Sequence, residues 1–199
     1  MKIVVTLAIM ATACTQHADA ASYTAGDSMV PSIAVGERIA LGNGEPVSGR
    51  VVVFRWEGNG REYVKRVIGI AGDAIAANGT EITVNGAPIP RCRIGTWSFD
   101  GHAGEIWLEA LAGVTWLVYH DSTNSVAERG PWKVAPGEVF VLGDNRENVT
   151  DSRKWFAGKG GGLPLGWIVG TASAAAPRLP AGAESLRSAF GLCVAALSK

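Results

Sequence analysis

Short apolar runs rich in valine and aromatic residues, each closed by glycine and asparagine, recur along the middle of this chain. Residues 50–56 form such a run before Gly58-Asn59-Gly60, and residues 81–84 lead into Asn85-Gly86. β-Branched and aromatic residues favour pleated strands, and an Asn-Gly pair favours a tight hairpin. The 26 glycines supply the turns that many short strands need. The pattern predicts a mostly β fold.

Further strands are predicted at residues 38–41, 62–70, 114–119, 138–142 and 167–171. Only the tail has helical spacing, with apolar residues at positions 186, 190, 193, 194 and 197. Residues 183–199 are therefore predicted to form an amphipathic helix. Residues 91–107 show no clear period and are predicted to be an inserted loop or lobe.

The first twenty residues have the features of a targeting segment. Lys2 precedes an apolar run over residues 3–14, and Ala18-Asp19-Ala20 follows it. A basic start, a short apolar stretch and an A-x-A end are typical of a secretory signal peptide. A retained membrane anchor and a lipoprotein signal ending at Cys14 are alternatives. Each of these interpretations places the remaining chain outside the cytoplasm.

Composition limits the possible partners and sites. The chain is 47% apolar and 18% charged with zero net charge, which allows a real core and gives no basic surplus for nucleic acid. Three scattered histidines and three cysteines without a C-x-x-C pair argue against a zinc site. Cys92 and Cys193 could form a disulfide in an exported protein or remain two small core residues.

Lys65 lies in the middle of the predicted strand 62–70, next to Arg66. Alternate residues of a strand face opposite sides, so one of these two cations must lie against apolar surface. Desolvation lowers the pKa of a lysine, which can then act as a base, whereas arginine stays charged. Alternatively, Lys65 extends along apolar surface to reach water.

Three motifs, in order, carry a family resemblance. Residues 26–32 read Gly-Asp-Ser-Met-Val-Pro-Ser, residues 65–73 read Lys-Arg-Val-Ile-Gly-Ile-Ala-Gly-Asp, and residues 143–153 read Gly-Asp-Asn-Arg-Glu-Asn-Val-Thr-Asp-Ser-Arg. Together they resemble the type I signal peptidases over about residues 26–170. The resemblance implies a coiled, barrel-like β-sheet catalytic core. It divides the chain into an apolar segment 1–20, a peptidase domain 21–182 with residues 78–136 as a smaller inserted β lobe, and the helix 183–199.

The resemblance also implies a serine endopeptidase that works with a Ser/Lys dyad. Ser28 would be the nucleophile and Lys65 its general base, with the Ser28 backbone N–H as an oxyanion donor. The nucleophile loop would include Asp27, Met29 and Pro31. Support of the site would come from Arg66, Gly143, Asp144, Asn145, Arg146, Asp151, Ser152 and Arg153. No metal and no cofactor are implied. The implied substrates are exported preproteins, cut after small residues in A-x-A sites by an enzyme associated with membrane lipid, its catalytic domain on the outer side of the cell membrane.

Two positions depart from the family pattern. Some relatives have a serine where Gly26 stands, and most have a serine at the position of Val149, where its hydroxyl helps to hold the lysine. The second departure keeps open a catalytically impaired exported β-domain with a binding role. A specialised peptidase of the conjugative-transfer type is a further alternative, because it shares Ser-Met-x-Pro and the lysine.

Overall fold

The computed structural model describes residues 21–121, 129–172 and 176–198. The apolar segment 1–20, predicted to be a signal or anchor, lies outside the described residues. The described strands, in chain order, are β1 (Ser22–Thr24), β2 (Arg38–Ala40), β3 (Val51–Arg55), β4 (Glu62–Ile70), β5 (Ala74–Asn78), β6 (Glu81–Val84), β7 (Ala87–Pro88), β8 (Arg91–Phe99), β9 (His102–Leu111), β10 (Val114–Asp121), β11 (Arg129–Lys133), β12 (Glu138–Leu142), β13 (Leu163–Pro164) and β14 (Ile168–Ala172).

A five-stranded antiparallel sheet with the order β13-β12-β4-β3-β14 forms the centre of the molecule. β3 and β4 make the predicted hairpin, with Val52 opposite Lys65 and Phe54 opposite Tyr63. β12 pairs with β4 over Arg66–Ile70, with a register shift between Phe140 and Val141. The mostly β prediction is confirmed, and β4 begins and ends where the sequence pattern placed it.

Strands β5 to β11 connect β4 to β12, although these two strands are direct neighbours. They form a four-stranded sheet, β11-β5-β6-β7, and a three-stranded sheet, β10-β9-β8. The segment 91–107, predicted to be an unpatterned loop or lobe, is instead most of the long hairpin β8–β9. The alternation of apolar and polar residues expected of a strand is obscured in this segment, because both strands are partly exposed and the register shifts between Arg93 and Gly95. The division into a peptidase domain and an inserted lobe stays a prediction.

Each face of the central sheet covers its own apolar cluster. One cluster includes Met29, Val53 and Val64, and the other includes Val52, Phe54 and Trp155. Burial of apolar area of this kind supplies about 25 cal/mol per Å² and is the main stabilising contribution to such a fold. Because alternate β4 residues point to opposite clusters, the strand separates two distinct environments.

The C-terminal helix α1 (Arg187–Leu197) packs on the three-stranded sheet, as the helical spacing predicted. Its apolar residues join a cluster with Ile106, Leu117 and Tyr119. A disulfide links Cys193 on the helix to Cys92 on β8. Within the described ranges, no helix is both long enough and apolar enough to cross a bilayer.

Candidate active site

The loop that carries Ser28 leaves β1 and forms a single 3-10 turn, Asp27–Met29. The Met29 side chain is fully buried in the apolar cluster beneath the loop. Further along, the hydroxyl of Ser32 donates to the carbonyl of Leu117 at 2.7 Å and accepts the Leu117 N–H at 3.1 Å. The loop is thereby held at both ends, and the Val30-Pro31 peptide between them is cis.

The structure brings Ser28 and Lys65 together. The Lys65 Nζ lies 2.9 Å from the Ser28 Oγ and 2.8 Å from the carbonyl oxygen of Val64. The Ser28 Oγ also lies 3.5 Å from that same Val64 oxygen. The two side chains predicted from the sequence as nucleophile and base are therefore within hydrogen-bonding distance before any substrate is bound.

Burial controls the chemistry of Lys65. The residue is 3% exposed, and desolvation lowers the pKa of its amine from 10.5 to about 8. The carboxylates of Asp151, Asp144 and Asp27 act in the opposite direction but do not cancel this effect. The sequence pattern required one cation of the Lys65–Arg66 pair to lie against apolar surface, and both are buried.

Arg66 is paired at that depth with Asp144. The guanidinium donates from Nε to Oδ1 at 3.0 Å and from Nη2 to Oδ2 at 2.7 Å, and it also donates to the Gly49 carbonyl. This fork geometry is specific to arginine and carboxylate. The pair joins β4 to the segment 143–153 that follows β12.

That segment supports the loop of Ser28 through backbone contacts. The Asn145 N–H donates to the Ser28 carbonyl at 3.2 Å, and the Asn145 amide donates to the Asp27 carbonyl at 3.3 Å. Gly143 lies against the same loop, because a β-carbon built there would stand 2.7 Å from the Ser28 carbonyl oxygen. The absence of a side chain at Gly143 lets the two segments approach this closely.

The remaining predicted supporting residues hold the segment 143–153 in shape. Asp151 accepts hydrogen bonds from the Gly143 N–H at 3.1 Å and from the Arg153 guanidinium at 2.8 Å. The Ser152 hydroxyl accepts the Val141 N–H at 3.0 Å. Arg146 pairs with Glu109 of β9, with Nη1 donating to Oε1 at 3.0 Å. Glu109 was not singled out from the sequence, because no local signal connects it to Arg146.

A narrow gap separates the edge of β4 from β1. Within the described part of the chain, β12 pairs only with the second half of β4, so the edge at Glu62–Val64 has no neighbouring strand. Tyr23 on β1 reaches across and donates its hydroxyl to the Glu62 carbonyl at 3.3 Å. The phenol thus spans from β1 to β4, two strands that do not pair with each other. No pattern in the sequence predicted this contact.

The family model "Signal peptidase, peptidase S26" matches residues 1–176 of the chain. The chain belongs to the S26 family of signal peptidases. It is 32% identical to a signal peptidase I of Pseudomonas fluorescens over 115 residues, which cover 56% of this chain and 40% of that protein. It is 30% identical to signal peptidase I P of Bacillus subtilis subsp. natto over 133 residues, 64% of this chain and 63% of that protein.

The matched region of this signal peptidase family member thus spans between two fifths and two thirds of the length of these relatives. A solved structure of a signal peptidase I from Enterococcus faecalis matches 66% of this chain and all of that chain, with 19% identity and a TM-score of 0.41.

Val149 stands where the family resemblance implies a serine. Its side chain is buried and packs against the place where Gly143 lacks a β-carbon. The Lys65 amine nevertheless stays at the Ser28 hydroxyl, because the Val64 carbonyl accepts its second hydrogen bond. A hydroxyl at position 149 is therefore not required to place the lysine.

Proposed function

We propose that this protein is a membrane-associated serine endopeptidase that removes signal peptides from exported preproteins with a Ser28/Lys65 dyad. The observation that carries the proposal is the 2.9 Å contact between the Lys65 amine and the Ser28 hydroxyl. A lysine with a pKa of about 8 is neutral in a sizeable fraction of molecules near neutral pH. Only the neutral amine can accept the serine proton.

In the proposed mechanism, the Ser28 hydroxyl donates its proton to the Lys65 amine while the Ser28 oxygen attacks the scissile carbonyl. The Ser28 backbone N–H stabilises the resulting oxyanion. The tetrahedral intermediate then collapses, the bond to the amine breaks, and the Lys65 ammonium returns the proton to that amine. Water, deprotonated by the neutral Lys65, hydrolyses the acyl-enzyme and restores the Ser28 hydroxyl.

The gap between β1 and β4 is the proposed path of the substrate. An extended peptide there would pair with the free edge of β4 at Glu62–Val64 and bring its scissile carbonyl to Ser28. Side chains at positions −1 and −3 would face the cluster of Met29, Ile33 and Val64. These apolar neighbours support small uncharged residues such as alanine at both positions.

The proposed location is the outer face of the cell membrane. The Cys92–Cys193 disulfide supports an oxidising compartment. Near the β3–β4 hairpin, Phe156, Leu165 and Val169 are 50%, 42% and 45% exposed. Trp56 contacts Trp167 with ring centroids 5.1 Å apart in the same region. Exposed apolar residues beside tryptophan suit contact with lipid headgroups and acyl chains.

The decisive experiment is cleavage of a preprotein with an A-x-A site by the wild type, Ser28→Ala, Lys65→Met and Lys65→Arg. We expect product only from the wild type. Lys65→Arg is the matched control, because it keeps the length and positive charge of the side chain but cannot lose its proton. Equal product from all four proteins would eliminate the dyad.

Val149 favours one second candidate, an exported β-domain that binds preproteins without cutting them. A single-turnover assay with excess protein separates the two, because a slow enzyme still gives one equivalent of product while a binding domain gives none. A panel of unrelated preproteins separates a general signal peptidase from a conjugative-transfer peptidase, which would cut only one of them.

A further inference from the structure

The amine of Lys154 holds the short stretch of backbone that ends at Val149. Its Nζ donates to the carbonyl oxygen of Val149 at 2.8 Å and to that of Glu147 at 3.1 Å. Hydrogen bonds from a charged donor are about twice as strong as neutral ones. One side chain therefore fixes the backbone of residues 147–149 at two points.

Lys154 itself belongs to a turn that is anchored in the core. Its backbone N–H donates to the Asp151 carbonyl at 2.8 Å, and the N–H of Trp155 donates to the same oxygen at 3.1 Å. The Trp155 side chain is buried in one of the two apolar clusters of the central sheet. Although Lys154 as a residue is exposed, partial burial and the nearby Arg153 guanidinium lower the pKa of its amine. The amine is thus partly withdrawn from solvent.

Val149 connects the held backbone to the nucleophile. A β-carbon built on Gly143 would stand 2.7 Å from the Val149 Cγ2 and 2.7 Å from the Ser28 carbonyl oxygen. The Val149 side chain and the Ser28 carbonyl therefore border the same small space beside Gly143. Because closely packed interiors transmit displacements, a shift of Val149 would disturb the contact between Gly143 and the Ser28 backbone.

The residue type at position 149 makes this packing important. The family resemblance implies a serine there, whose hydroxyl would act on Lys65 directly. A valine side chain has no hydrogen-bonding group, so Val149 can act on the dyad only through packing. The place of that packing surface depends on the backbone of residues 147–149, and hence on Lys154.

We propose that Lys154 is a positioning residue for Ser28. Its amine holds the backbone of residues 147–149, and the Val149 side chain then keeps Gly143 against the backbone of the nucleophile. The inference rests on the proposed function and adds to it a residue that lies outside the three sequence motifs, directly after the last of them. Lys154 does not touch the substrate in this arrangement and acts only through the segment that it follows.

The first test compares cleavage of one preprotein with an A-x-A site by the wild type, Lys154→Met, Lys154→Arg and Lys159→Met. Methionine keeps an apolar stem of similar length but cannot donate, so kcat should fall about tenfold with KM unchanged. Arginine can still donate to both carbonyls and should keep about half of the wild-type kcat or more. Lys159→Met is the matched control, because it removes an exposed lysine five residues further along. It should leave kcat unchanged. A full kcat in Lys154→Met, or an equal loss in either of the other variants, would overturn the inference.

A double substitution tests the route through Val149. Alanine at this position lacks Cγ2, the nearer of the two valine atoms that border the space beside Gly143. In the Val149→Ala background, Lys154→Met should therefore lower kcat only about twofold. A loss of about tenfold in both backgrounds would overturn the inference, because Lys154 would then act independently of Val149.

Hydrogen exchange measures the same positioning without any cleavage. The Asn145 N–H donates to the Ser28 carbonyl at 3.2 Å. Its exchange should become about tenfold faster in Lys154→Met and keep the wild-type rate in Lys154→Arg and Lys159→Met. If the wild type cuts no preprotein, the proposed function fails, and this exchange rate alone decides the inference. An unchanged rate in Lys154→Met would overturn the inference and leave the peptidase intact.

Discussion

Gly143 lies so close to Ser28 that a β-carbon built on Gly143 would stand 2.7 Å from the Ser28 carbonyl oxygen. That oxygen belongs to the backbone and cannot move without moving the nucleophile. We predict that Gly143→Ala lowers kcat/KM about 100-fold, because a shift of about 1 Å at a reacting group has this effect. Cleavage assays and an unfolding curve on the same preparation would separate displacement from unfolding.

Gly26→Ala is the control for that substitution. Gly26 is also in the nucleophile loop, but a β-carbon there meets nothing within 4 Å, and its φ of −84° suits any residue. It should keep nearly full activity. An equal loss of kcat/KM in the two variants would mean that the nucleophile loop tolerates no added atom at either position. The close contact between Gly143 and Ser28 would then not explain the effect of Gly143→Ala.

The pKa of Lys65 predicts the pH dependence of cleavage. Since the base must be neutral, kcat/KM should rise tenfold per pH unit up to about pH 8 and level off above it. Burial lowers the pKa in the folded state only, so stability should rise with pH between about 8 and 10.5. Lys65→Met should be inactive yet more stable at pH 7, by about 1–2 kcal/mol. A profile flat from pH 6 to 9 would contradict the assignment of Lys65 as base.

Val149→Ser tests whether a hydroxyl improves the dyad. The resemblance implies that a serine at this position helps to hold the lysine, and one added hydrogen bond contributes about 1 kcal/mol. We expect kcat to rise about fivefold with KM unchanged. Val149→Ala is the control, because it removes the same methyl groups without adding a hydroxyl. A similar kcat in both variants would show that the Val64 carbonyl alone holds the amine.

The Arg66–Asp144 pair should be important for stability. Asp144→Asn leaves the Arg66 guanidinium buried without its counter-ion. The free energy of unfolding should therefore fall by about 3–5 kcal/mol. The exposed pair Arg55–Glu62 has the same 2.7 Å separation but side-chain exposures of 62% and 32%. Glu62→Gln should therefore cost less than about 1 kcal/mol. Urea unfolding of both variants measures the difference. An equal loss of unfolding free energy in the two variants would show that burial does not determine how much the ion pair stabilises the fold.

Tyr23→Phe should make substrate binding easier. The Tyr23 hydroxyl occupies the Glu62 carbonyl, which a strand in the gap would need as an acceptor. Removing that hydroxyl should lower KM about threefold and leave kcat unchanged, since one hydrogen bond is lost from the free enzyme only. Ser22→Ala on the same strand is the control. A higher KM in Tyr23→Phe would mean that the phenol binds substrate instead of competing with it.

The dyad and the central hairpin could be predicted from the sequence because their signals are local. β4 follows a glycine-rich turn and carries apolar residues on both faces, so its first and last residues could be predicted. Ser28, Lys65 and the segment 143–153 carry long motifs whose order fixes their relationship. Their meeting in space then follows from the pairing of β12 with β4.

The rest depends on contacts between distant parts of the chain. Nothing near Glu109 indicates that it pairs with Arg146, and nothing near Tyr23 indicates that it spans to Glu62. β8 and β9 were missed because partial exposure on both faces weakens their alternation. The Cys92–Cys193 bond joins residues 101 positions apart, and spacing alone could not choose between a disulfide and two thiols.

That bond has a consequence for a cut backbone. It closes a covalent ring from residue 92 to residue 193, which contains the segment 143–153 but neither Ser28 nor Lys65. A protease that nicks the ring once leaves a single covalent molecule, whose pieces separate only after reduction. A nick between Ser28 and Lys65 yields two unlinked chains, with the nucleophile on one and its base on the other. A single backbone cut within the ring therefore leaves the segment 143–153 covalently attached, whereas a single cut between Ser28 and Lys65 separates the nucleophile from its base.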